Sequence, residues 1–127
     1  MDGVFTEDLK AQNRFRVRRR LEVEQFAVIM THSPDQCPTA NETVRKLFLK
    51  TGAELPMLAK KLGVEFVAGP LITTDHKAIS IVKAKEVKAV RDFILQSGLI
   101  QWNSAEVMNV ISMEEATEEI NKLRPIY

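Results

Sequence analysis

The residues best suited to chemistry are few, and most of them fall in two short stretches. His32, Asp35 and Cys37, the only cysteine, lie within FAVIMTHSPDQCPTANE. The second and last histidine, His76, follows Asp75 in GPLITTDHKAISIV. Neutral imidazole and thiolate are ligands for zinc, copper or iron, and three protein ligands with one open position are how catalytic metals are held. His32, Cys37 and His76 are therefore the candidate metal ligands, although His32-x4-Cys37 with a remote histidine is not a standard ligand signature. A reading without metal uses the same residues. His32 or His76, titrating near neutrality, would act as a general base oriented by Asp35 or Asp75. Cys37 precedes Pro38 near a helix N-terminus, where the dipole lowers a thiol pKa. The plain alternative is that histidine, aspartate and cysteine are ordinary loop residues and His76 only closes a turn. No phosphate-cradling glycine loop, paired cysteines or Ser-His-Asp signature is present.

Composition narrows the setting. The chain has 127 residues, 45% hydrophobic and 28% charged, enough for one globular core. Eighteen basic against seventeen acidic side chains leave no global field that favours nucleic acid or an anionic membrane. No apolar run is long enough to span a bilayer, and the polar, basic stretch from Leu9 to Arg20 is not a secretory signal. One cysteine beside five methionines fits a reducing compartment, so a cytoplasmic location is expected.

Residues 1–24 form a region apart. Five arginines, at positions 14, 16, 18, 19 and 20, flank Phe15 and Val17. They suit either a phosphate-binding arm or a solvated tail or edge strand with Phe15, Val17, Leu21 and Val23 on one face. Nearby acids leave the segment at about +1, which argues for the second reading.

The ordered pattern begins at residue 25. Phe26–Thr31 is apolar on both faces, as in a strand covered on both sides. Thr39-Ala-Asn-Glu42 has capping-box spacing and opens a helix. Its apolar stripe of Val44, Leu47, Phe48, Thr51, Leu55, Leu58 and Leu62 continues past Gly52 and Pro56, predicting one kinked helix or two nearly collinear ones ended by Gly63. Strands follow at 64–71 and 78–82 with a turn at 73–76 between them. A helix over 85–97 stopped by Gly98, a strand over 105–111 and an acidic helix capped at Ser112 complete the chain. Met30, Met57, Met108 and Met113 read as core rather than as soft metal ligands.

The order βαββαβ with right-handed crossovers gives an α+β, ferredoxin-like domain over residues 25–127. Its four-stranded antiparallel sheet has order 4-1-3-2, with the long helices on one face. Ala27 and Ile29 then leave an apolar second face that a second copy's sheet would cover. In this order, and in FAVIMTHSP, GPLITTDHKAISIV and SGLIQWNSAEVMNVISMEEA, the chain resembles the dimeric α+β barrel superfamily, most closely its small GYD-domain-like members. The glycine-tyrosine-aspartate tripeptide itself is replaced by GPLITTD. The resemblance implies a homodimer and leaves activity open, since that superfamily spans enzymes and ligand-sensing modules.

The same topology brings the end of strand 1, the strand 2–3 turn and the start of strand 4 to one edge. That edge collects His32, Asp35, Cys37, Asp75, His76, Trp102 and Glu106. Trp102 and Phe66 would wall a pocket for a small, flat apolar ligand, or else pack in the core, the commoner fate of a lone tryptophan. Two functions of different class follow. One is a metal- or ligand-binding protein of the dimeric barrel type, enzyme or not; the other is a non-catalytic assembly module.

Overall fold

The computed structural model describes residues 23–127. The expected basic arm or extra strand lies, up to residue 22, outside the described residues. Strands β1 (Glu24–Thr31), β2 (Glu65–Ile72), β3 (Lys77–Ala84) and β4 (Ser104–Val110) form one antiparallel sheet in the order β2-β3-β1-β4. Read from the other edge, that is the expected 4-1-3-2. Helices α1 (Glu42–Leu62), α2 (Val87–Ser97) and α3 (Met113–Lys122) complete an α+β architecture among the described residues. None of these helices is long and apolar enough to cross a membrane.

Strict alternation makes β1 the central strand. Phe26, Val28 and Met30 are buried on one face, while Ala27, Ile29 and Thr31 are half-buried on the other. β3 repeats the pattern with Ser80, Val82 and Ala84. Ala59 of α1, Val64 just after it, and Val90, Phe93 and Ile94 of α2 join Phe26, Val28 and Val82 in one core, so both long helices cover the same sheet face. Fully burying a side chain such as Phe26 contributes about 1.5–3 kcal/mol. On the opposite face Ile79 and Met108 are exposed.

The apolar stripe of α1 prevails over its two breakers. The helix is a single element through Pro56, with Val44, Thr51 and Ala59 buried and Leu55, Leu58 and Leu62 packed against the core. An interior proline costs roughly 3 kcal/mol, less than several buried apolar side chains return. Gly63 ends the helix in the left-handed region at φ 74°.

Two expectations need correction. The N-cap of α1 is Asn41, whose side-chain oxygen accepts from Val44 N–H at 3.0 Å, and not Thr39. Asn41 stands two residues nearer the helix and caps as well as threonine does, which releases the Thr39 hydroxyl. Of the methionines read as core, only Met30 is buried; Met57 and Met113 are about 80% exposed and Met108 is exposed on the sheet face opposite the long helices. Their positions fall on the solvent sides of their elements, which a count of apolar residues does not register.

Edge strand β2 is irregular for a local reason. Its pairing with β3 shifts at Phe66/Ala68 and again at Ala68/Leu71. Gly69 sits there at φ 86°, and a Cβ on it would lie 2.5 Å from the Ile79 carbonyl oxygen. The bulge turns the strand while Phe66 stays against Phe93, ring centroids 5.7 Å apart.

Candidate metal centre

Three segments converge where the topology places them. The β1–β3 ladder extends one step beyond the strands: His32 N–H donates to His76 C=O at 3.1 Å, and the rings stand 5.3 Å apart, edge to face. His76 is the only described non-glycine residue with positive φ, 65°. Hairpins of this length favour glycine or asparagine at such a position, so a histidine there runs against the local preference. Thr73 fixes the turn, its N–H donating to Lys77 C=O at 2.9 Å and its hydroxyl accepting from Lys77 N–H at 3.1 Å.

Cys37 comes from the loop after β1. A 3-10 turn over Pro34–Gln36 and two bonds to the Cys37 carbonyl, from Ala40 N–H and Asn41 N–H, wind the chain tightly. Arg45 of α1 reaches back and donates to Pro38 C=O at 2.8 Å and Thr39 C=O at 2.9 Å. The loop is thus held by the helix it leads into, and Cys37 is buried. One donor atom from each of His32, Cys37 and His76 lies within 4.8 Å of the others. Zinc bond lengths set ligand–ligand separations of about 3.3–3.6 Å in a tetrahedral site, so closing on an ion requires side-chain movements of about 1 Å.

The electrostatics suit a ligand set. The Thr39 hydroxyl, 3.0 Å from Cys37 Sγ, donates to it when the sulfur is a thiolate. That bond, and then the Thr39 backbone, hold the thiol well below its ordinary 9.0, at about 6, against the opposing effect of burial. Asn103 sets the tautomer of His32. Its Nδ2 donates to Leu99 C=O at 3.1 Å, so its Oδ1, 3.3 Å from His32 Nδ1, is the acceptor and Nδ1 carries the proton. In the neutral ring His32 Nε2 then offers a lone pair, and that atom is buried with no hydrogen-bond partner among the described residues. A ligating histidine held through its other nitrogen has this arrangement.

The remaining expected residues divide. Trp102 and Phe66 both line an apolar cavity of about 440 Å³ between the sheet and the two long helices, and His32, Cys37 and His76 lie in the same wall. Trp102 packs 5.3 Å from the His32 ring and 6.1 Å from that of Phe48. Asp35 is exposed, its carboxyl held below the usual range chiefly by Ser33, and it bonds to neither histidine. Asp75 is likewise bound to the Thr73 hydroxyl at the surface. Glu106 points out of the core, opposite Ile29. The orienting role expected of an aspartate thus falls to Asn103, and the thiol's partner is Thr39. Asn103 was within reach of sequence reasoning, since it adjoins Trp102 at the start of β4. Thr39 was hidden by its apparent role as a cap.

No family model matches the chain, and no curated protein matches it.

Proposed function

We propose that the chain is a small metal-binding protein in which His32, Cys37 and His76 hold one transition ion. The observation that carries this reading is the buried, unpartnered lone pair of His32 Nε2 beside two further donors within 4.8 Å. Two imidazoles and a thiolate suit zinc, copper or iron. Zinc has the least geometric preference and so demands least of the side chains. Bound there, an ion would supply Lewis acidity. The chain's own part is to keep His32 in the ligating tautomer through Asn103, Cys37 ionised through Thr39, and bulk water out through the apolar walls. The test is metal content of untagged protein, parent beside His32→Ala. Near-stoichiometric metal in the parent, lost in the variant, is expected. A parent that neither retains nor takes up zinc, copper or iron overturns the reading.

The ferredoxin-like, dimeric α+β barrel reading is a proposal of the same standing. It is supported by the element order and by the apolar character of the sheet face opposite the long helices, where Ile29 pairs with Ile79 and Ala27 with Ile81. A second copy laid on that face would bury these side chains. Light scattering at micromolar concentration should give twice the chain mass, and Ile79→Glu should return it to one. A monomeric parent removes the dimer and leaves the metal reading in place.

A further inference from the structure

The cavity has an apolar lining and one polar end. Phe48, Leu55, Phe66, Phe93, Ile94 and Leu99 supply much of its wall, together with buried residues of β1 and β3. Lys77, a charged residue in the lining, has its ammonium at the surface, 4.0 Å from the Asp75 carboxylate. Trp102 lines the cavity beside His32, and its indole N–H is buried with no hydrogen-bond acceptor among the described residues. A buried donor without an acceptor is unfavourable, and tryptophan N–H groups in protein interiors usually find one. Nothing in the metal reading uses this atom, because an indole nitrogen is a donor only.

We propose that the cavity is a binding site for a neutral, largely apolar molecule carrying one oxygen acceptor, such as a ketone, aldehyde or ester, whose oxygen accepts from Trp102 Nε1. The volume of about 440 Å³ sets the size. It corresponds to about fifteen water volumes and to a body of roughly ten to fifteen non-hydrogen atoms. Neutrality follows from most of the lining, where an ionised head would be desolvated among aliphatic and aromatic side chains; the charged groups in the wall are already engaged, Lys77 by Asp75 and the Cys37 sulfur by the Thr39 hydroxyl. A single acceptor matches a single unsatisfied donor. The His32 lone pair asks for the opposite partner, a donor or a metal, so the two unpartnered atoms define two separate requirements at one end of the cavity.

The inference stands on Trp102 and not on the metal. Its test is a titration with 4-phenylbutan-2-one, whose ketone only accepts, beside butylbenzene, which keeps the body and lacks the oxygen. Trp102 is the only tryptophan, so its emission reports binding directly, and calorimetry serves for variants without it. The ketone should bind the parent about tenfold more tightly than the hydrocarbon, the size of one relieved donor. In Trp102→Phe, which keeps an aromatic ring at that place, the two should bind alike. Equal binding of both probes to the parent, binding of neither, or an unchanged ratio in Trp102→Phe overturns the proposal. If that variant does not fold, the parent ratio alone decides. A preference for the ketone that persists in His32→Ala protein, which has lost its metal, supports this inference; a parent that loads metal and binds no ketone overturns it and leaves the metal reading intact.

Discussion

The two halves of β1 use the same face of the same strand for opposite purposes. At the start, Phe26 is 2% exposed and packed beside Val82, with Val90 of α2 in the same core. Six residues later that face ends at His32, which meets not a packed layer but the polar end of a cavity, with one ring nitrogen tied to Asn103 and the other unpartnered. Alternation along the strand places both side chains under the helices. What surrounds them differs: Phe26 is closed in by the core it shares with Val82 and Val90, while His32 borders the cavity together with Cys37 and Trp102. One half is closed by packing, and the other borders the cavity.

The comparison breaks most readily at the packed half. Phe26→Ala should cost about 3–5 kcal/mol in denaturant unfolding, the range for a buried phenylalanine that leaves a cavity. His32→Ala, made on metal-free protein, should cost under about 1 kcal/mol, since it deletes an unsatisfied buried atom as well as contacts. Similar losses for the two substitutions would erase the distinction between halves.

Asn103→Ala sharpens it further. The protein should fold and still bind metal, about 10–100-fold more weakly, because His32 loses the bond that orients it. Competition with a chelator reads the change, and undiminished affinity would remove Asn103 from the site.

Cys37 gives a pH signature that the packed half lacks. Its thiol is held at about 6 against an ordinary 9.0, so the folded state prefers the thiolate. The resulting stability is fully present above the unfolded thiol's pKa and is lost as pH falls through the folded value, near 6. Alkylation of metal-free protein should therefore rise with a midpoint near pH 6, and Thr39→Val should move that midpoint upward. An unmoved midpoint would deny Thr39 its role.

The smallest effect concerns His76. Replacement by glycine relieves a side chain at φ 65° but loosens the unfolded chain, leaving a net gain of up to about 1 kcal/mol. A more stable protein that no longer takes up metal is the outcome expected of a residue kept for function. A clear loss of stability would make it structural.

Much of this molecule was determined by local pattern. Period-two alternation in 24–31 and 77–84, steps of three and four in 42–62, and the stop at Gly98 set the elements within a few residues. Antiparallel order then required the end of β1 to meet the start of β3, which is why the approach of His32 to His76 was legible from one sequence. Tertiary structure decided what local rules leave degenerate. Thr39 and Asn41 are both competent caps, and only the position of Cys37 Sγ gives the Thr39 hydroxyl a better use. Asp35 is closer to His32 in sequence than Asn103 is, yet the 3-10 turn carries it outward while β4 brings Asn103 alongside. A pocket walled by Trp102 and Phe66 was expected from the topology, but its volume and the unpartnered Trp102 N–H have no sequence signal, because an empty volume depends on how two helices and a sheet fail to fill the space between them.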